Sequence, residues 1–195
     1  MTTKPNARAR LILIALVAIF AAPPVVSWLL FRYTDIGRDG GGHGDLVQPP
    51  RPLPDIALLD GATGGRPLHG RWTLLYLARG ECTASCADAL YRMRQIRLAT
   101  GRNAEHVQRV LVSPGIDSAA RARLAADWPG QLFIADEAFA GSDVFSLEPG
   151  DDPAAAGRVY LIDPRGNLMM SYGPQADPDG IIADLRRLLR HARSG

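Results

Sequence analysis

The first strong feature of the hydrophobic pattern is an unbroken apolar segment near the amino terminus. Leu11 to Phe31 contains 21 residues and no charged side chain. A helix rises ~1.5 Å per residue, so this segment would extend about 31 Å, close to the ~30 Å hydrocarbon core of a bilayer. Basic residues precede it and balanced charges follow it. The positive-inside rule therefore predicts a cytoplasmic amino terminus (1–10), a transmembrane anchor (11–31) and an exported remainder. The expected location is the inner (plasma) membrane, with a periplasmic carboxyl-terminal domain.

A cleaved signal peptide is the alternative interpretation of the same segment. The apolar run is longer than the ~7 to 15 residues of a signal-peptide core. The small residues Ala21 and Ala22, which would form a cleavage site, are followed directly by Pro23 and Pro24. Proline after the scissile bond disfavours cleavage, so we favour an uncleaved anchor that is kinked at the two prolines.

Residues 32–54 have the composition of a linker. A glycine-rich part, "GRDGGGHG", precedes a proline-rich part, "QPPRPLP". Glycine-rich chain is flexible and proline-rich chain is extended, so the segment is expected to hold a folded domain away from the membrane. His43 lies among the glycines and is expected to have no ligand-binding role.

The pattern of residues 55–195 alternates between apolar runs typical of strands and the 3.6-residue period of helices. The segment "DIALLDGATGGRPLHGRW" is typical of a β-hairpin. Strands are predicted at 72–78, 107–113, 131–136, 158–163 and 167–173, and helices at 85–100, at 118–127 and from Pro178 onward. This order predicts an α/β, thioredoxin-like fold with an amino-terminal β-hairpin extension, preceded by one transmembrane helix.

Composition narrows the function. The formal net charge is +2 and the basic residues are scattered, which argues against a nucleic-acid partner. Both cysteines of the chain, Cys82 and Cys86, lie in "RGECTASC", after a predicted buried strand and at the start of a predicted helix. Amide groups and the dipole at a helix start stabilise a thiolate, and Arg79 acts in the same direction while Glu81 opposes it.

Three interpretations of this cysteine pair remain open: an exchangeable redox couple, a thiolate metal site and an inert structural disulfide. A disulfide that closes so short a loop removes little entropy from the unfolded chain. Export would place the pair in an oxidising compartment, where disulfides form. We therefore favour the redox couple, in which Cys82 and Cys86 would be the catalytic residues of a thiol-disulfide oxidoreductase, and keep the other two interpretations open.

The sequence resembles the SCO/SenC family of membrane-anchored, thioredoxin-like cytochrome oxidase assembly proteins. Three features over roughly residues 50–190 carry the resemblance: the anchor with its linker, "CTASC" after "WTLLYLA", and "VYLIDPRGNL". The resemblance implies a role at the copper site of a respiratory oxidase. It also implies a partner that is a cysteine-containing oxidase subunit or a copper chaperone, and copper binding by the two cysteines together with a downstream histidine.

That histidine is missing from this chain. The resemblance places it near Ala155, but no histidine lies between His106 and His191. His69 is expected at the surface and Met93 in the core. Two thiolates suit Cu(I), whereas Cu(II) also prefers nitrogen ligands. We therefore expect no required cofactor. Thiol-disulfide exchange is favoured. The alternatives are a delivery protein that binds Cu(I) through Cys82 and Cys86, and a redox-inert assembly factor whose disulfide is structural.

Overall fold

A computed structural model describes residues 7–33, 43–60 and 63–191. The chain forms two compact units, Met1–Gly41 and Gly42–Gly195. In the first unit, helix α1 (Ala7–Tyr33) continues through Pro23 and Pro24, so the predicted anchor is helical. Among the described residues, no helix is both long enough and apolar enough to cross a membrane.

The second unit contains an eight-stranded mixed sheet with the strand order β1-β8-β7-β4-β5-β6-β2-β3. Strands β4, β5 and β6 are parallel, whereas β7 is antiparallel to both β4 and β8. The strands are β1 (Asp45–Pro52), β2 (Ala57–Asp60), β3 (Thr63–Pro67), β4 (Trp72–Leu77), β5 (Val107–Val112), β6 (Gln131–Ile134), β7 (Val159–Ile162) and β8 (Asn167–Tyr172).

The helices of this unit are α2 (Ala84–Ala99), α3 (Ser118–Asp127), α4 (Glu137–Ala140) and α5 (Pro178–His191). Two 3₁₀ helices, Gly101–His106 and Asp143–Phe145, complete the described elements. The predicted thioredoxin-like order is confirmed. The predicted hairpin extension is also present, because β2 and β3 are antiparallel and Leu59 of β2 pairs with Phe133 of β6.

The predicted linker requires a correction at its carboxyl-terminal half. Residues 45–52 form β1, which pairs with β8 at the edge of the sheet. The register shifts between Leu46 and Arg51, on either side of Pro49 and Pro50. Proline has no N–H group for a ladder, so it is tolerated at an edge strand and beside an irregularity. Proline content predicted the extended conformation correctly, but the burial of Val47 and the open edge of β8 make it a strand.

The core explains how the sheet positions the residues that follow it. All six residues of β4 are buried. Leu74 and Tyr76 belong to the hydrophobic cluster that includes α2 and α5, and Leu75 and Leu77 belong to the second cluster. A strand that is buried on both faces is held firmly, so the loop that begins after Leu77 leaves the sheet from a fixed point. Met93 is fully buried in the first cluster, as expected.

Candidate functional site

The two cysteines are joined by a disulfide between the end of β4 and the first turn of α2. The sulfur atoms of Cys82 and Cys86 are 1.97 Å apart, and the two Cα atoms are 5.2 Å apart. Thr83 is the N-cap residue of α2, so Cys82 lies in the loop before the helix and Cys86 is its third residue. Cys86 is only 2% exposed, whereas Cys82 is partly exposed. An incoming partner would therefore reach the Cys82 sulfur more easily.

The cysteine loop is attached to the carboxyl end of β5. The Ala78 N–H donates to the carbonyl of Val112 over 2.8 Å, and the Ser113 hydroxyl donates to the carbonyl of Gly80 over 2.6 Å. Gly80 has a φ of +68°, in the left-handed region that favours glycine. These bonds turn the chain from the strand into the helix and place Cys82 above the sheet edge.

The amino terminus of α2 favours negative charge at this position. The side chain of Thr83 makes no cap hydrogen bond and instead contacts the Ser85 hydroxyl at 3.1 Å. The first-turn amide groups of a helix lack acceptors within the helix and carry the positive end of its dipole. A thiolate of either cysteine would be stabilised there.

Two cavities flank the disulfide, and each is lined by one of the cysteines. The Cys82 cavity, about 400 Å³, extends towards Ser113 and α3, where Ile116, Arg123 and Leu124 line it. The Cys86 cavity, about 360 Å³, is lined by Arg79, Tyr76, Ala154 and Ala155 together with the neighbouring loop residues. The two sulfurs are therefore approached from different sides.

The loop that forms the far wall of the Cys86 cavity is held by Asp152. Its Oδ1 accepts hydrogen bonds from the N–H groups of Ala154 and Ala155, each over 3.1 Å. Its Oδ2 pairs with the guanidinium of Arg79. The Ala155 N–H and the Arg79 side chain together lower the pKa of Asp152, so this carboxylate is ionised at neutral pH. The preceding residue, Asp151, forms an ion pair with the guanidinium of Arg158.

The resemblance to the SCO/SenC family places the copper-ligand histidine near Ala155, and this position lies close to Cys86. Ala155 lines the same cavity as Cys86. Three histidines have described side chains, and each contacts an acidic residue outside both cavities: His43 with Asp184, His69 with Asp55 and His106 with Glu105. The side chain of His191 lies outside the described residues. Throughout residues 7–33, 43–60 and 63–191, no cluster of three or more His, Cys, Asp or Glu side chains is suited to hold a metal ion.

Two residues of the site were missed by sequence reasoning. Ser113 follows β5, and the carboxyl ends of the parallel strands β4 and β5 lie at one edge of the sheet, so its proximity to the cysteine loop was predictable. Asp152 belongs to "DDPAAAG", where an aspartate before proline indicates a capped turn. Nothing in the local pattern indicated that this turn would meet Arg79.

A comparison with known protein families assigns the domain that contains this site to one of them. Residues 72–192 match the family described as "Transmembrane-like, thioredoxin-like, C-terminal domain". The chain belongs to this family. The match extends from β4 through α5, so this family domain includes both cysteines and both cavities. The comparison with curated proteins gave no match.

Solved structures of Sco proteins share the fold. ScoI of Bradyrhizobium japonicum, solved with copper bound, is 19% identical with a TM-score of 0.54, over 70% of this chain and 98% of that one. The SCO1/SenC family lipoprotein of Bacillus anthracis is 18% identical with a TM-score of 0.51, over 73% and 98%. BsSco, described as having a disulfide switch and as a member of the Sco family of cytochrome c oxidase assembly proteins, is 15% identical with a TM-score of 0.55, over 73% and 95%. The resemblance to the SCO/SenC family is thus confirmed at the level of the fold.

Proposed function

We propose that this chain is a thiol-disulfide exchange protein that serves the assembly of the copper site of a respiratory oxidase. The observation that carries the proposal is the asymmetry of the disulfide: the partly exposed Cys82 lies in a loop, and the buried Cys86 lies in the first turn of α2. A disulfide at a helix start is suited to exchange, because the helix stabilises the thiolates that form when it opens. The oxidase role comes from the fold relatives and from the resemblance in sequence.

In the reduced protein, the Cys82 thiolate attacks one sulfur of a partner disulfide. A bond forms between Cys82 and that sulfur, and the second partner sulfur leaves as a thiolate. The Cys86 thiolate then attacks the Cys82 sulfur, which restores the Cys82–Cys86 disulfide and releases the first partner sulfur. Two electrons pass to the partner, and this chain becomes the disulfide form described above.

The test uses the full-length protein in detergent, reduced and then mixed with a synthetic peptide that has an internal disulfide. We expect the native protein to reduce the peptide and Cys82→Ser to be inactive. Cys86→Ser should accumulate a mixed disulfide between the peptide and Cys82, identified by mass spectrometry. A mixed disulfide that forms only through Cys86 would reverse the roles. If added thiols fail to reduce the native Cys82–Cys86 bond, it is a structural disulfide.

Delivery of Cu(I) is the second candidate, and the juxtaposition of the two sulfurs favours it. Once reduced, Cys82 and Cys86 are soft ligands that fit Cu(I), whereas none of the residues that line the Cys86 cavity is a histidine that could bind Cu(II). Titration of the reduced protein should therefore show Cu(I) bound through both sulfurs and weak Cu(II) binding. Ala155→His should strengthen Cu(II) binding and leave reduction of the peptide no faster. Tight Cu(II) binding that is lost on replacing His69 or His106 would contradict this ligand assignment.

We also propose that residues 11–31 anchor the chain in the inner membrane, with the thioredoxin-like domain in the periplasm. The uncharged segment and the preceding basic residues support this topology. A reporter that is active only outside the cytoplasm, fused after Gly195, should be active, and the protein should fractionate with membranes. Recovery of a shorter exported form that begins near Pro23 would favour the signal-peptide interpretation.

A further inference from the structure

We propose that the short tether of this chain (residues 32–42) restricts Cys82 to partners that are bound to the same membrane. His43 attaches that tether to the domain at the end of the sheet where the cysteines lie. The class of partner rests on the exchange function and the membrane anchor proposed above. The attachment itself can be measured without any partner.

His43 is held by the buried carboxylate of Asp184 in helix α5. The backbone N–H of His43 donates to Asp184 Oδ2 over 2.7 Å, and the Nδ1 atom of its ring lies 3.4 Å from Oδ1. The Tyr172 hydroxyl donates to the same Oδ2 over 3.2 Å. Asp184 is only 5% exposed, and a buried carboxylate is costly unless it is hydrogen-bonded. Release of His43 would leave this carboxylate with fewer partners, so the attached state is favoured.

Two glycines allow the close approach of this segment to the domain. A Cβ atom at Gly180, in the first turn of α5, would lie 2.7 Å from the Cβ and Cγ atoms of His43. A Cβ atom at Gly44 would lie 2.4 Å from the Cε1 atom of Tyr172 and 2.8 Å from the carbonyl oxygen of Ser171. Only glycine has no Cβ atom, so another residue at either position would displace the segment.

The strand registers place this attachment at the cysteine end of the sheet. Asp45, the first residue of β1, pairs with Ser171 of β8. Ser171 pairs with Tyr160 of β7, and Tyr160 pairs with Leu75 of β4. All three pairings are antiparallel, so β1 begins at the end of the sheet where β4 finishes. The cysteine loop leaves the sheet after Leu77, so the tether and the cysteine loop join the sheet at the same end.

The length of the tether limits the reach of the domain. Eleven residues, 32–42, separate the proposed anchor from His43. Extended chain spans at most ~3.6 Å per residue, so the tether reaches about 40 Å at most, against about 80 Å for a linker that continued to Pro54. A short tether gives a partner on the same membrane a high effective concentration at Cys82, an advantage that a diffusing partner lacks. The class of partner is therefore a membrane-bound protein with an exposed disulfide.

Hydrogen exchange tests the attachment in the full-length protein in lipid nanodiscs. Gly180→Ala should raise the exchange rates of the amides of residues 43–47 at least about 10-fold, because the added methyl group displaces His43. Helix α5 should stay intact, since alanine is more favourable than glycine in a helix. Gly173→Ala is the matched control, because nothing lies within 4 Å of a Cβ atom at that position. Unchanged exchange in Gly180→Ala would overturn the attachment.

A second experiment measures reach with a synthetic peptide that has an internal disulfide. The peptide is either carried on a lipid of the same nanodisc or left free in solution. The reduced native protein should reduce the lipid-bound peptide at least about 10-fold faster than the free peptide at equal total concentration. A 12-residue Gly/Ser insertion after Gly41 should slow reduction of the lipid-bound peptide about 3-fold, following the −3/2 power of tether length. The same segment appended after Gly195 is the matched control and should leave both rates unchanged.

The outcomes distinguish the class of partner from the exchange function. A preference for the lipid-bound peptide that falls with the insertion, and not with the appended segment, supports the proposal. Equal rates on the two peptides, or a rate that does not fall with the longer tether, would overturn the restriction to membrane-bound partners. A protein that reduces neither peptide would reject the exchange function and the class of partner together, and hydrogen exchange would still decide the attachment.

Discussion

The arginines at the two ends of strands β4 and β5 differ in whether they pair with a carboxylate. At the carboxyl ends, around the disulfide, Arg79 pairs with Asp152 and Arg158 pairs with Asp151. Nearer the amino ends, Arg109 of β5 is only 2% exposed and pairs with no carboxylate among the described residues. Its Nη2 donates to the carbonyl of Pro129 over 2.7 Å, while its Nε and Nη1 find no acceptor within the described part of the chain.

The pKa of Arg109 reflects this environment. Burial, followed by the neighbouring cations Arg97 and Arg94, lowers its pKa to about 10. A buried charge without a partner costs stability, whereas an exposed ion pair contributes little. We therefore expect the exposed Arg79–Asp152 pair at the cysteine end to contribute little to stability, and the buried Arg109 at the other end to reduce it.

The largest expected effect is at the disulfide. Cys86→Ser should lower the free energy of unfolding by about 2 kcal/mol, the entropic contribution of closing a loop of only a few residues. Chemical denaturation of the oxidised native protein and of the variant measures the difference, with the reduced native protein as the control. A loss above ~3 kcal/mol would make the cysteine end a stability element and would favour the structural disulfide.

The next effect is at the opposite end of the strands. Arg109→Met should raise the free energy of unfolding by about 1 kcal/mol, because it replaces an unpartnered buried cation with an apolar side chain of similar length. Arg190→Met is the matched control on the exposed surface of α5 and should stay within about 0.5 kcal/mol of native. If Arg109→Met is destabilising, the hydrogen bond to Pro129 outweighs the cost of burial and the comparison fails.

A pH series sharpens the same comparison. Because the folded-state pKa of Arg109 is depressed to about 10, the unfolded chain binds more protons than the folded one between about pH 10 and the ordinary arginine range. The native protein should therefore gain stability relative to Arg109→Met as the pH rises through 10. Urea unfolding of both proteins at pH 9 and pH 11 would measure how far the difference between their free energies of unfolding narrows, with the Arg190→Met protein as reference. A difference that stays constant would show that Arg109 remains charged in the folded state at both pH values.

The smallest effect on stability is expected at Arg79. Arg79→Gln should change the free energy of unfolding by less than about 0.5 kcal/mol, since its ion pair is exposed. Chemical denaturation of the native protein and of the variant measures the difference. A loss above about 1 kcal/mol would show that the Arg79–Asp152 ion pair is needed to hold its two loops together.

Most elements of the domain were predictable because their local patterns are strong. The continuous apolar run of β4 predicts a strand buried on both faces, and its six residues are all buried. Helix α3 has the predicted bounds, Ser118–Asp127, and Asp117 caps it by accepting from the Ala120 N–H. Strand β1 was missed because its prolines are atypical of strands, and its pairing depends on β8, which lies more than 100 residues away.

The sequence by itself determined the alternation of strands and helices that follows β1, the place of Cys82 and Cys86 between a strand and a helix, and the lack of a histidine near Ala155. These properties follow from local periodicity and residue identity. Only the tertiary structure decided that Ala155 lines the cavity of Cys86, that Asp152 meets Arg79, and that Arg109 is buried without a carboxylate. Each of these contacts joins loops or strands that are distant in sequence, and their positions depend on how the whole sheet packs against its helices.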